Sequence, residues 1–432
     1  MIRPAPNRLA LLFMLLLSAS MFLYWRRVPQ NIDAIAPSPT ARPRPLTDLY
    51  PRWYGTRELL LHHRDPYGAA VTREIQLAYD GREQRFAYPL YVILFLAPTV
   101  GMQFHSAQII FWWFLAAATG LSLALCLSLV RVQLSSYARF TLFATVLLSV
   151  PVLQGLSLLQ FGLLVAALLS ATEAAIFWGH LFLAGMLLAL ATIKPPMTLP
   201  AACWFLLWIS GDWRRRRPLL WGFAATLTVL ILATERLVPG WLLRYPGMLA
   251  AYAKYTDASP LIAVLLPYFL RWPVTIGGLF AAALFCWRVR RQPADSIYFI
   301  FALAFVLTLT VMIIPTAMPP YNHVLLLPAI LLILHHWTDL WSRGFAFRLF
   351  ASLLTGIAIL PWLLAPIVTL GLLMSVRPWS VRFVLVPLYA SLGLPFAVLG
   401  LLLLLARTLP SISRTSGWPH DGEPQERVAS QP

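Results

Sequence analysis

The residues able to do chemistry in this chain are few, and almost all of them border apolar runs. The first group is Thr47-Asp48-Leu49-Tyr50-Pro51-Arg52-Trp53-Tyr54, followed by His62-His63-Arg64-Asp65-Pro66-Tyr67 and by Phe86-Ala87-Tyr88-Pro89 at the start of an apolar run. Asp48 stands where a helix N-cap belongs, because its carboxylate could accept from the free N–H groups of a first turn. Its other use is to take a proton. In Ala191-Thr192-Ile193-Lys194-Pro195-Pro196 a lysine ends an apolar run and two prolines stop that helix. Such a lysine either snorkels to the interface or aims inward, where its ammonium suits a phosphate. Gln160, in Leu159-Gln160-Phe161-Gly162, is polar in an apolar neighbourhood and can satisfy an interhelical hydrogen bond. In Pro319-Pro320-Tyr321-Asn322-His323 the histidine reads either as a helix-start residue or as a catalytic one. Walker loops, dinucleotide fingerprints, H-E-x-x-H and G-x-S-x-G elbows are absent from the sequence. The adjacent pairs His62-His63 and His335-His336 point to different faces of a helix, so neither pair shares a metal.

The elements that must hold these groups are membrane helices. The chain has 432 residues, 59% hydrophobic and 11% charged, with a mean hydropathy of +0.73. That balance excludes a soluble enzyme and predicts an all-α polytopic membrane protein. Thirteen apolar segments are legible, at about 9–24, 88–104, 107–130, 140–152, 163–177, 181–193, 199–209, 219–238, 273–289, 297–315, 324–337, 349–374 and 383–406. The net charge of +17 sits between them, where cations meet lipid headgroups, so membrane lipids are the implied partner and nucleic acid is not. Cys126, Cys203 and Cys286 lie inside apolar runs and read as packing residues.

Four regions follow. Residues 1–25 form a first transmembrane helix, read as an uncleaved signal anchor in a bacterial inner (plasma) membrane or its equivalent. Residues 26–87 form a polar loop, with an extended proline-rich stretch at 29–45 and surface helices at 46–61 and 71–79. Residues 88–406 form the bundle, and 407–432 a disordered polar tail. Basic stretches at 214–217 and 288–291, with Arg343 and Arg348, mark one cytoplasmic side. Alternation then puts Lys194, the 239–271 loop and the 315–323 turn on the extracytoplasmic side. Charge alone does not place the 26–85 loop. If it is outside, an odd number of crossings must precede the basic stretch at 131–139, yet two apolar segments lie there, so one of them is short, re-entrant or wrongly divided.

Taken in order, these landmarks resemble the GT-C membrane glycosyltransferases, most closely glycosyltransferase family 87, the polyprenyl-phosphate-mannose-dependent type. The carriers are Asp48-Leu49-Tyr50, Gly55-Thr56-Arg57-Glu58-Leu59-Leu60, Arg64-Asp65-Pro66-Tyr67, Phe86-Ala87-Tyr88-Pro89, Gln160, Lys194-Pro195 and Tyr321-Asn322-His323. Leu159-Gln160-Phe161-Gly162 and Leu90 depart from the family's Gly-Gln-Asn and second-proline patterns. The resemblance implies a GT-C bundle of about 11–13 transmembrane helices with a large first extracytoplasmic loop carrying surface helices. It implies an inverting, metal-independent transfer of a mannose-like hexose or a pentose on the extracytoplasmic face. The donor is a polyprenyl-phosphate-linked sugar, the acceptor a lipid, glycan or protein hydroxyl, and no cofactor is needed. Asp48 is then the general base with Asp65 as backup; Lys194, Arg64 and His323 meet the donor phosphate; Tyr50, Tyr88, Gln160, Tyr321 and Asn322 line the substrates. Two other classes remain open, a lipid or sugar transporter or flippase and a noncatalytic envelope assembly protein. The observation that separates them is whether Asp48 approaches Lys194 and His323 around one cavity.

Overall fold

A computed structural model describes residues 8–35, 46–256, 259–313, 320–375 and 379–409. Most of the proline-rich stretch and nearly all of the polar tail lie outside the described residues, as does Pro319. Among the described residues every regular element is helical. In chain order come α1 (Arg8–Ile35), α2 (Leu49–His62) and α3 (Ala69–Ala78), then α4 (Ile93–Leu96) between 3-10 turns at Leu90–Val92 and Ala97–Thr99. Next are α5 (Phe104–Leu129), α6 (Ser136–Leu147), α7 (Val150–Leu158), α8 (Gly162–Phe177), α9 (Leu181–Ala191), α10 (Pro195–Gly211) and α11 (Trp213–Leu237). There follow α12 (Trp241–Tyr255), α13 (Leu261–Leu265), α14 (Tyr268–Val289), α15 (Ile297–Ile313), the 3-10 stretch Pro320–Leu326 and α16 (Leu327–His335). The last described elements are α17 (Trp337–Trp341), α18 (Phe345–Met374), α19 (Val381–Val384), α20 (Val386–Ala390) and α21 (Leu394–Ala406).

Among the described residues six segments are long and apolar enough to cross a membrane: Arg8–Pro29, Phe104–Leu129, Trp213–Leu237, Tyr268–Val289, Phe345–Met374 and Val386–Ala406. The pair α6 and α7, bent by 55°, makes a seventh if taken as one broken span. Pro151, at the start of α7, accounts for the break because its ring cannot continue the preceding helix. The protein is therefore an all-α polytopic membrane protein. α15 is apolar on every face and buried along nearly its whole length, as expected of a helix at the centre of a bundle. α9 and α11 approach so closely that a Cβ on Gly222 would lie 2.1 Å from the Phe182 carbonyl oxygen, the small-residue contact typical of helices in lipid.

Two local facts set which ends meet. The apolar stretch at 90–99 is too short to cross, since ten residues at about 1.5 Å each reach half of a roughly 30 Å hydrocarbon core. It packs instead beneath α2. The polar loop is thus separated from Arg131 by α5 alone, which removes the parity conflict seen in the sequence. At the other end of the bundle, Arg216 donates to the carbonyls of Trp208, Arg290, Arg291 and Gln292, so the 214–217 and 288–291 basic stretches share one end.

The polar loop is folded onto the bundle. α2 buries Leu49, Arg52, Trp53 and Gly55, and Phe86 lies so close over Gly55 that a Cβ there would meet its ring at 2.5 Å. The Tyr67 hydroxyl donates to the Tyr88 carbonyl at 2.6 Å. The 239–271 region, read from sequence as a loop, contains α12. Its buried Trp241 stacks on Tyr67 and meets Tyr91 edge-on, so this helix is pinned to the first loop.

Candidate active site

Asp48 occupies the N-cap position of α2, yet its side chain makes no capping hydrogen bond. Gln160 donates from Nε2 to Asp48 Oδ2 instead. The amide is held by an unusual backbone: Leu159, at the end of α7, has φ 54°. That left-handed conformation costs a branched residue of this kind roughly 1–3 kcal/mol, and such strain collects at sites that must aim a side chain. The next N–H, of Gln160, donates to the Gly155 carbonyl at 2.8 Å.

One turn beyond Asp48, Arg52 is buried with 3% of its surface exposed. It donates from Nη1 to the Asp48 carbonyl, and its guanidinium lies 4.7 Å from the Tyr88 ring centroid. Its Nε–H has no partner among the described atoms. Tyr252 and Tyr255 of α12 stand near enough to interact with this charge. Burial of Tyr88 raises its phenol well above the ordinary tyrosine value, so it stays protonated beside the cation.

Lys194 enters from the opposite side, at the junction of α9 and α10. Its Nζ donates to Asn322 Oδ1 at 3.1 Å and lies 4.8 Å from the Tyr321 ring centroid. The Tyr321 N–H donates in turn to Gln154 Oε1 at 3.0 Å, which ties the 3-10 stretch to α7. Lys194 senses both Arg52 and Asp48 electrostatically. Gly162, the first residue of α8, borders the same space: a Cβ there would lie 3.5 Å from both Lys194 Nζ and Asn322 Oδ1. The N-terminus of α8 thus lies beside Lys194 and Asn322, whereas α10 begins with two prolines, which bring no free N–H groups. Helix N-termini carry partial positive charge, so the whole constellation favours an anion.

Of the residues singled out from sequence, Asp48, Tyr88, Gln160, Lys194, Tyr321 and Asn322 come together. Arg64 does not join them. It pairs with Glu58 at 2.7 Å and Glu74 at 2.5 Å, and the Arg64 hydrogen bond, with one from Tyr54, holds the Glu74 carboxyl below its usual range. Asp65 accepts from the Tyr67 N–H and pairs with Arg244 of α12 at 2.5 Å. Tyr50 packs among Trp53, Tyr54, Tyr79 and Phe104. His323 is buried and lines a separate cavity of about 280 Å³, with Met14, Ser149 and Trp362 among its walls. Sequence reasoning missed Arg52, Gln154 and Tyr252. Only Arg52 carried a signal, its spacing of one helical turn from Asp48. No group of three His, Cys, Asp or Glu side chains that could hold a metal occurs among the described residues.

Residues 86–315 match the model of glycosyltransferase family 87. The chain belongs to that family. The matched region covers more than half of the sequence and contains Tyr88, Gln160 and Lys194, whereas Asp48 and Arg52 precede it and Tyr321 to His323 follow it. Comparison with curated proteins and with solved structures finds no match. As a family 87 member the protein is a multi-pass membrane glycosyltransferase of GT-C type, which takes a sugar from a donor to an acceptor.

Proposed function

We propose that this family 87 enzyme transfers a mannose-like hexose or a pentose from a polyprenyl-phosphate carrier to an acceptor hydroxyl, with inversion at the anomeric carbon. The observation that carries the proposal is one polar cluster in which Asp48 and Arg52 of α2 meet Lys194 from the junction of α9 and α10, with Gln160 on Asp48 and Asn322 on Lys194. Lys194 and Arg52 hold the donor phosphate, assisted by the N-terminus of α8. Asp48 accepts the proton of the acceptor hydroxyl while its oxygen bonds to the anomeric carbon. The bond from that carbon to the phosphate oxygen breaks, and its electron pair stays on the departing phosphate. Charge growing on that phosphate meets cations already in place, so little reorganisation is needed in the transition state. The leaving group departs as an anion, and the scheme draws on no cofactor or metal.

The orientation follows from charge. The end shared by the 214–217 and 288–291 basic stretches is the cytoplasmic one by the excess of arginine there. The cluster of Asp48 and Lys194 then faces the extracytoplasmic side of the inner membrane, where a lipid-linked donor, and no nucleotide sugar, is at hand. Membranes carrying the full chain should transfer label from polyprenyl-phosphate-linked sugar to endogenous acceptor, with inverted configuration in the product. Transfer from a nucleotide sugar in membranes stripped of polyprenyl phosphates would overturn the proposal.

A further inference from the structure

α8 carries an acid that the proposed chemistry leaves unused. Glu173 lies in the apolar segment at 163–177, and only 2% of its surface is exposed. At about 1.5 Å per residue it sits roughly 16 Å along α8 from Gly162, the helix end that borders Lys194. Its Oε1 has no hydrogen-bond partner among the described atoms, and burial acts on the carboxyl with no charged neighbour. An uncompensated carboxylate is expensive in such surroundings, so the side chain is held as the neutral acid, whose O–H is a donor. Glu173 lines a cavity of about 10 Å³ together with Ser170 of α8, Leu303 of α15, Val324 and Leu325 of the 3-10 stretch and Pro328 of α16. That volume has room for one water. Ser170 Oγ lies 2.8 Å from Ser122 Oγ and 3.3 Å from Cys126 Sγ, so the polar contacts continue into α5. Pro328 has no N–H and cannot donate to the Val324 carbonyl four residues earlier, as a helix would require. α8 packs against the 3-10 stretch, and Asn322, which accepts from Lys194, stands two residues before Val324.

We infer that Glu173, through one water in this cavity, holds the 3-10 stretch by the Val324 carbonyl and so positions Asn322 for Lys194. The acid donates to the water, and the water donates to the carbonyl that Pro328 leaves without its helical partner. Its second hydrogen goes to Ser170 Oγ, which completes the three bonds usual for a buried water. Glu173 touches no substrate and is a positioning residue. A side chain present only to fill a helix contact would be apolar here, because an acid without a partner costs stability in an apolar interior. The bridge ties together the two elements that border the anion site, α8 and the 3-10 stretch, so neither shifts against the other without breaking it. The inference goes beyond the donor chemistry, and only its kinetic test rests on that reading.

The test uses the full chain in lipid nanodiscs, as Glu173→Gln, whose amide still donates, and as Glu173→Leu, which has nothing to donate. Wild-type protein should show the infrared C=O band of a hydrogen-bonded carboxylic acid, absent in both variants. Amide hydrogen exchange across residues 320–326 should quicken about fivefold in Glu173→Leu, the loss of one modest hydrogen bond, and stay near wild type in Glu173→Gln. The unfolding midpoint of Glu173→Leu should equal or exceed that of wild type, since an apolar group of similar size replaces a buried acid. With labelled polyprenyl-phosphate sugar, donor half-saturation should rise about fivefold in Glu173→Leu and stay within about twofold in Glu173→Gln. The bands of an ionised carboxylate or of a free acid, unchanged exchange in Glu173→Leu, or equal effects of the two substitutions would each overturn the inference. Donor half-saturation within about twofold of wild type in an active Glu173→Leu enzyme would remove the positioning role. If wild-type protein transfers nothing from polyprenyl-phosphate sugars yet the infrared and exchange results hold, the bridge stands and the donor assignment falls.

Discussion

Replacing Lys194 with methionine removes an ammonium while keeping most of the side-chain length. In the structure that ammonium makes one hydrogen bond, 3.1 Å to Asn322 Oδ1, and lies against the Tyr321 ring. Folding loses a contact worth about 1.5–3 kcal/mol to a charged group, but it also no longer desolvates a cation, so the net change in stability is small. Catalysis has no such offset. A charge-assisted bond from Lys194 to the donor phosphate, worth roughly 1.5–3 kcal/mol, corresponds to about tenfold to 150-fold in kcat/KM for the donor. The contact strengthens as the phosphate departs, so kcat should fall and donor KM rise together. The assay is transfer from labelled polyprenyl-phosphate sugar by purified Lys194→Met, with its thermal midpoint measured alongside. Donor kinetics within threefold of wild type in a folded variant would refute the reasoning and leave Lys194 only an interfacial anchor.

Three further outcomes follow from the packing. Gly162→Ala places a methyl group 3.4–3.5 Å from Met197, Lys194 and Asn322, which is ordinary contact, so thermal stability should hold while donor KM rises several-fold; an unchanged KM would show that donor does not use this space. Gly222→Ile must separate α9 from α11, where even a Cβ would sit 2.1 Å from a carbonyl oxygen, and the overpacking should cost at least about 1–3 kcal/mol, read as a lowered unfolding midpoint. Asp65→Asn removes a half-exposed ion pair with Arg244, worth about 0–1 kcal/mol, so activity should stay within a few-fold of wild type; a loss as deep as that predicted for Asp48→Asn would transfer the base role to Asp65.

Much of the bundle was legible because hydrophobicity alone marks a helix in lipid. The runs at 107–130, 219–238, 273–289 and 349–374 sit within or close to α5, α11, α14 and α18. The apolar stretch at 90–99 deceived for the same reason: hydropathy registers burial under α2 and crossing of a membrane alike. Lys194, Gln160 and Asp48 were legible as polar groups in costly surroundings. Arg52 was harder to read: its spacing of one helical turn from Asp48 was visible, but an arginine on a polar surface helix looks solvated, and its burial against Tyr88 is a tertiary feature. Arg64, Asp65 and His323 show the opposite limit. Their residue types suited the chemistry, but Glu58 and Glu74, only six and ten residues from Arg64, and Arg244 and a cavity beside α1, both far along the chain from Asp65 and His323, claim them. Leu159 gave no warning either, because nothing in a leucine predicts a left-handed backbone.

The central claim is that Asp48 is the base and no mere helix cap, and Asp48→Asn tests it most directly. Asparagine caps about as well as aspartate and can still pair with Gln160, so the fold should survive. General base catalysis contributes about a hundredfold to ten-thousandfold, so turnover with labelled polyprenyl-phosphate sugar should fall by at least a hundredfold while donor binding persists. Turnover within severalfold of wild type, in protein shown to be inserted and folded, would contradict the account.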